Sequence, residues 1–141
     1  MAKYRVAGNT EIKIADSGGT LRNMTSYVDT MGALGKEVAS LDVTSFADAA
    51  EKIIAGIETS QEFTLAGHFD DTATTGPDAV FAPLVGTKAS FEFYPIGTTA
   101  GRRKFSGTAL ELSYKITAAV KERVAYEATF KLDGTMTVGT A

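Results

Sequence analysis

Between Ile57 and Gly86 the chain reads IETSQEFTLAGHFDDTATTGPDAVFAPLVG, and in that stretch its rhythm changes from two residues to a helical repeat. Thr59, Gln61, Phe63, Leu65, Gly67 and Phe69 fall on one parity. Glu58, Ser60, Glu62, Thr64, Ala66 and His68 fall on the other, as in a strand with one face toward a core and one toward water. The polar run from Asp70 to Gly76 ends the strand. Pro77 suits the first position of a helix, where its missing N–H costs nothing, Asp78 complements the positive helix start, and Gly86 supplies the stop. Val80, Phe81, Leu84 and Val85 give this helix a broad apolar side that fits the open face or end of a sheet. These two signals predict a mainly β fold with one short flanking α-helix.

The rest of the chain adds strands. Ile12 and Ile14 alternate with Glu11 and Lys13 over Thr10 to Ala15, and Asp16 to Gly19 ends that strand. Leu21 to Met31 has apolar residues at helical spacing but several poor helix formers, which predicts one helical turn running into an irregular or extended piece. Lys36 to Thr44 alternates as a second strand. Ser45 to Gly56 has two readings. Ala47, Ala50, Ile53 and Ile54 have the spacing of a short amphipathic helix capped by Ser45 and Asp48, or the segment is a long connection. Lys88 to Tyr94 is a strand carrying Phe91 and Phe93. Arg102 to Ala118 is a long strand with Leu110, Leu112, Tyr114 and Ile116 on one face and Phe105 on the opposite parity, so a change of phase is placed at Gly107. Arg123 to Leu132 alternates cleanly and forms a hairpin with it, and Asp133–Gly134 turns the chain into a last strand, Thr135 to Val138.

The 141 residues fit one domain, 1–141, and the 44% apolar share suffices for a real core. A net charge of -3 argues against a protein that grips nucleic acid through its phosphates. With no cysteine there is no disulfide or thiolate chemistry. The start MAKYRVAGNTEIKIAD has no apolar core and does not read as a secretory signal, and no apolar run reaches membrane-spanning length, so a soluble chain without membrane insertion is expected.

Chemistry is sparse. His68, the single histidine, lies near Asp70 and Asp71, and the plainer reading is a polar strand end before an Asp-rich turn rather than a metal or acid–base cluster. Gly97 and Gly101 with Arg102, Arg103 and Lys104 match neither phosphate-binding fingerprint and read as a basic hairpin tip or an inter-subunit ion-pair site. Phe91, Phe93, Tyr114, Tyr126 and Phe130 sit at strand parity and read as core rather than as a stacking platform. No catalytic residue, cofactor or metal site is expected, and the chain is not read as an enzyme.

The run DVTSFADAAEKIIAGIETSQEFTLAGHFDDTATTGPDAVFAPLVG, Asp42 to Gly86, resembles the centre of tail tube (major tail) proteins of long non-contractile phage tails. GRRKFSGTALELSYKITAAV and VAYEATFKLDGTMTV are similar to that family's closing strands. The resemblance implies a β-sandwich or half-barrel with one flanking helix, in a structural virion protein. Six copies would form a ring, and stacked rings would form a tube for genome delivery. It implies tail initiator, tape measure and terminator proteins as partners, double-stranded DNA passing without specific binding, assembly in the host cytoplasm and residence in the virion tail. Under it, residues 1–9 are an N-terminal arm and 45–56 a loop or arm between subunits, with Ala47, Ala50, Ile53 and Ile54 as contacts. The lumen would be lined by the face carrying Glu58 and Glu62, or by the Glu127 face, and acidic side chains there would let DNA slide. Two alternatives stay open. One is a tube protein of the type VI secretion kind, and the other a small-ligand β-barrel, against which the polar exposed parity counts.

Overall fold

The computed structural model describes residues 10–141, so the expected arm at 1–9 lies outside the described residues. In chain order the strands are β1 (Glu11–Ala15), β2 (Leu21–Asn23), β3 (Thr30–Met31), β4 (Glu37–Asp42), β5 (Ile53–Thr59), β6 (Glu62–His68), β7 (Lys88–Tyr94), β8 (Arg103–Thr117) and β9 (Ala125–Thr140). One helix, α1 (Pro77–Phe81), continues as a 3-10 turn over Ala82–Leu84. Seven strands make an antiparallel sheet in the order β2-β1-β7-β8-β9-β6-β3, and β4 and β5 pair only with each other. The mainly β class with one short helix is what the alternation predicts.

The core lies on one face of the large sheet. Phe63 and Leu65 of β6 and Tyr126, Ala128, Phe130 and Leu132 of β9 point into it, as their parity requires. Phe63 stacks on Phe130 with centroids 5.4 Å apart and meets Phe91 at 5.3 Å, while Phe81 of α1 closes over Tyr126 and Phe130 at 5.4 and 5.8 Å. The aromatics are therefore core, packed in tilted and offset geometries that aromatic quadrupoles favour. Pro77, Val80, Phe81 and Leu84 are buried under the helix, whereas Val85, assigned to the same apolar side, is half exposed beyond the helix end. Tyr27 and Val28 cross β6 so closely that a Cβ on Gly67 would stand 1.9 Å from the Tyr27 carbonyl oxygen. Tyr126 donates its hydroxyl to that same oxygen at 2.7 Å, which fixes the crossing from the other side.

The structure corrects several boundaries. Residues 45–56 are not a helix: Ser45 donates its backbone N–H to the Asp48 carboxylate at 2.7 Å, Asp48 returns one to the Ser45 carbonyl, and this tight turn feeds into strand β5 at Ile53. Local Ser–Asp bonds compete with helix formation, and β-branched Ile53, Ile54 and Ile57 favour a strand. Ile53 faces outward from its position opposite Asp42 and Ile54 from opposite Leu41, so the two lie on opposite faces rather than on one stripe. The alternating run from Ile57 to Phe69 is two strands, β5 and β6, broken at Ser60–Gln61. Over 21–31 the order is strand, 3-10 turn, strand, because Asn23 accepts the Thr25 N–H at 3.0 Å and starts the turn there.

Two more corrections concern the long hairpin. Pairing of β8 with β9 is irregular at Gly107, as expected, but β8 keeps its parity there: Phe93, Phe91 and Ala89 of β7 stand opposite Phe105, Gly107 and Ala109 without a break. The phase changes between Glu111 and Ser113 instead. Ala109 and Glu111 consequently point inward, Leu112 is exposed, and only beyond the second bulge does Tyr114 turn toward the core. Likewise Asp133–Gly134 does not end a strand. Gly134, at φ 77°, begins a three-residue bulge opposite Gly107 that delivers Met136 to the core, and β9 continues to Thr140 on the same partner.

Candidate functional site

No side-chain cluster among the described residues has the look of a reaction centre, and three surfaces stand out instead. The first is the solvent face of the large sheet. Cross-strand partners share a face, so Glu62 sits beside Lys131 and Glu127 beside Lys115. Lys88 pairs with Asp133 at 3.0 Å and Lys104 reaches Glu92 at 3.7 Å on the same side. This face is charge-balanced rather than acidic. Glu58 is not on it: it lies on β5, opposite Val38, and the end of that strand at Ser60–Gln61 separates it from Glu62.

The second surface is a pair of unfilled sheet edges. β7 covers β8 only as far as Leu110, and beyond an isolated bridge between Val85 and Glu111 the outer edge of Ser113–Thr117 has no strand partner among the described residues. β6 covers β9 only over Ala125–Lys131, so among the described residues Asp133–Thr140 is paired on its β8 side alone. The free edges therefore lie at opposite ends of one hairpin, each a row of backbone donors and acceptors.

The third is the two-stranded projection of β4 and β5. Every residue of β4 is exposed, and Val38, Leu41, Val43, Phe46, Ile53, Ile54 and Ile57 present apolar side chains to solvent, Ile57 at 91% and Phe46 fully. Ala47 and Ala50 are exposed in the turn between the strands. The projection also holds Glu37, Asp42, Asp48, Glu51 and Glu58 against Lys36 and Lys52, an excess equal to the whole chain's -3. An ion pair of 2.7 Å joins Lys52 to Asp48, and with the Ser45 bonds it holds the Asp48 carboxyl below its usual range. Sequence spacing singled out Ile53 and Ile54, but Phe46, Leu41 and Ile57 belong to the same surface.

The sites considered for chemistry do not assemble. Both ring nitrogens of His68 face Arg123, at 2.9 and 3.0 Å, and Arg123 is also ion-paired with Asp29 and thereby lowers the Asp29 pKa. Asp70 is turned away to accept the Thr72 N–H at 2.7 Å. Among the described residues no three His, Asp or Glu side chains converge as metal ligands. In the basic turn, Lys104 is committed to Glu92 and Arg103 is exposed at the start of β8. A hollow of about 350 Å³ opens between β1, the 3-10 turn Thr25–Tyr27 and β3, lined largely by Ile12, Val28, Met31 and Phe93, with Asp29 also in its wall. It opens at the margin of the core, with Ile12 a core residue and Val28, Met31 and Phe93 packed against the core, on an open sheet rather than inside a closed barrel.

Nearly the entire chain follows a known path. It is similar to a chain in the tail of an empty gene transfer agent particle with C6 symmetry, at TM-score 0.72 and 17% identity, covering 96% of this chain and 99% of that one. A chain of the PVC sheath–tube complex, an extracellular contractile injection system in its extended state, matches at TM-score 0.71 and 9% identity over 99% and 94%. The SPP1 tail tube matches at TM-score 0.70 and 10% identity over 97% and 80%. No family model matches the sequence, and neither does any curated protein sequence. The fold is tail-tube-like.

Proposed function

We propose that this protein is the subunit of a tail tube, six copies closing a ring and rings stacking into the conduit through which a phage-like particle passes its genome. The observation that carries this reading is the combination, within a tail-tube-like fold, of two free edges at opposite ends of the β8–β9 hairpin and an apolar projection that its own sheet does not cover. Joining the edges of successive copies extends one sheet around a ring and removes the exposed edges. The projection, with Ala47, Ala50, Ile53 and Ile54 near its tip, then reaches a neighbouring copy. Initiator, tape measure and terminator proteins are the partners such a tube requires. The work is structural, with no catalytic step, and its place is the virion tail after assembly in the host cytoplasm.

The sheet's solvent face, carrying Glu62 and Glu127, lines the lumen in this reading. Interleaved lysines keep the wall near neutrality, and DNA moves past without the counterion release that a basic wall would provoke. A tube of the contractile or type VI kind is the second reading, favoured by the equally full match to the sheath–tube chain. Negative-stain microscopy of the purified protein with sedimentation tests both. Open-ended tubes whose length grows with concentration support the first, closed six-membered rings the second. A chain that stays monomeric and takes up a small apolar ligand in the hollow beside Phe93 overturns both.

A further inference from the structure

Glu111 is a buried acid that neither the packing nor the assembly surfaces employ. It lies on the core face of β8, directly opposite Phe130 of β9, with 0% of its surface exposed and, among the described residues, no hydrogen-bond partner for either Oε1 or Oε2. The ionisable groups on the elements around it offer no positive charge. Tyr114 of β8 donates its hydroxyl to Asp78 of α1 at 3.2 Å, and Tyr126 of β9 is committed to the Tyr27 carbonyl. Lys88 of β7, Lys115 of β8 and Lys131 of β9 stand on the other face of the sheet. An unpaired carboxylate in such a place is prohibitively costly, so the side chain is held as the neutral acid.

Its backbone is joined to a strap that closes the helix onto the sheet. The Glu111 N–H donates to the Thr87 carbonyl at 3.3 Å, and its carbonyl accepts the Gly86 N–H at 2.8 Å. Val85 to Thr87 thus lie beside β8 just where its free edge begins, held there by an isolated bridge, whereas the other side of β8 pairs with β9 from Arg103 to Thr117, interrupted only at the two bulges. If the carboxyl ionises, the least costly way to admit water is to lift this strap with the Ala82–Leu84 turn, because opening the β8–β9 ladder breaks far more bonds.

We propose that Glu111 is a proton-operated latch: as the neutral acid it lets the strap Val85–Thr87 and the end of the α1 segment lie closed on β8, and as the carboxylate it drives them off. The latch is a property of the single chain and does not depend on tube formation. Burial alone raises the Glu111 pKa from 4.5 to about 8. Because the folded state keeps this proton longer than the unfolded chain does, stability falls as pH rises from about 4.5 to about 8 and levels off above that.

The test compares wild type with Glu111→Gln, a neutral side chain of the same shape, in urea unfolding of the monomer between pH 5.5 and 9.5. The wild-type folding equilibrium constant should fall across that range by roughly a hundredfold or more relative to the variant's. Amide exchange, corrected for its intrinsic pH dependence, should accelerate at Gly86 and Glu111 in wild type alone. Glu111→Leu serves as the second neutral variant if the amide is not tolerated. Parallel pH profiles for wild type and the neutral variant overturn the latch. So does a Glu111 carboxyl that titrates near 4.5 in carbon NMR, or a pH-dependent loss of stability with no local acceleration at the strap.

Discussion

The large sheet and the β4–β5 projection use the same kinds of residue to opposite effect. In the sheet, every second side chain of β6 and of the first half of β9 finds a partner inside the chain: Phe63 on Phe130, Phe91 on Phe63, Phe81 over Tyr126. In the projection, Leu41 stands opposite Ile54 and Ile53 opposite Asp42, yet no third layer covers either face. A two-stranded ribbon with bare faces is at best marginal alone in water. The sheet buries its apolar face within the chain, although two of its edges stay open, and the projection leaves its apolar side chains exposed on both faces.

Substitutions can separate the two behaviours. The largest effect belongs to the sheet: Phe130→Ala empties the centre of the aromatic cluster and should destabilise the chain by about 4 kcal/mol, read as a lowered urea midpoint. Gly67→Ala comes next, at about 3 kcal/mol, because the added methyl collides with backbone that cannot move without breaking the Tyr126–Tyr27 bond. Ile53→Asp should change monomer stability by less than about 0.5 kcal/mol while abolishing self-association in sedimentation. If it instead unfolds the monomer, the contrast between the regions is wrong. Phe46→Ser should leave thermal unfolding unmoved and weaken association in the same assay. Asp48→Ala is the gentlest: it frees the Ser45 amide, visible as faster exchange at that residue, with the unfolding midpoint unchanged.

In virions with intact tails, replacing Glu62 and Glu127 with lysine should preserve the tube and slow genome ejection. Unchanged ejection removes the solvent face of the sheet from the lumen.

What was readable in the sequence follows the same division. Alternation was reliable where one face is buried within the chain, as in β6, β7 and Arg123 to Leu132, because period two then has a single meaning. Helical spacing misled at Ser45–Gly56, where Ala47, Ala50, Ile53 and Ile54 belong to a turn and a largely exposed strand and nothing in the chain selects a face. The bulge at Leu112 left no mark either. Glu111 reads as the polar parity of an ordinary strand, and only the pairing register shows that it points inward. The free edges were equally hidden, since they depend on how far β7 and β6 extend along their longer neighbours.

The crossing of Tyr27 over Gly67 bears on how such a chain can diverge. Most buried positions of this chain are filled by apolar side chains that another apolar side chain could replace at a packing cost. Position 67 is different, because every other amino acid carries at least the carbon that would meet the Tyr27 oxygen at 1.9 Å. Phe63, for example, packs against side chains, which can shift in part to accept another apolar residue. Glycine at 67 can be replaced only if the crossing segment is displaced as well, so the two changes are coupled.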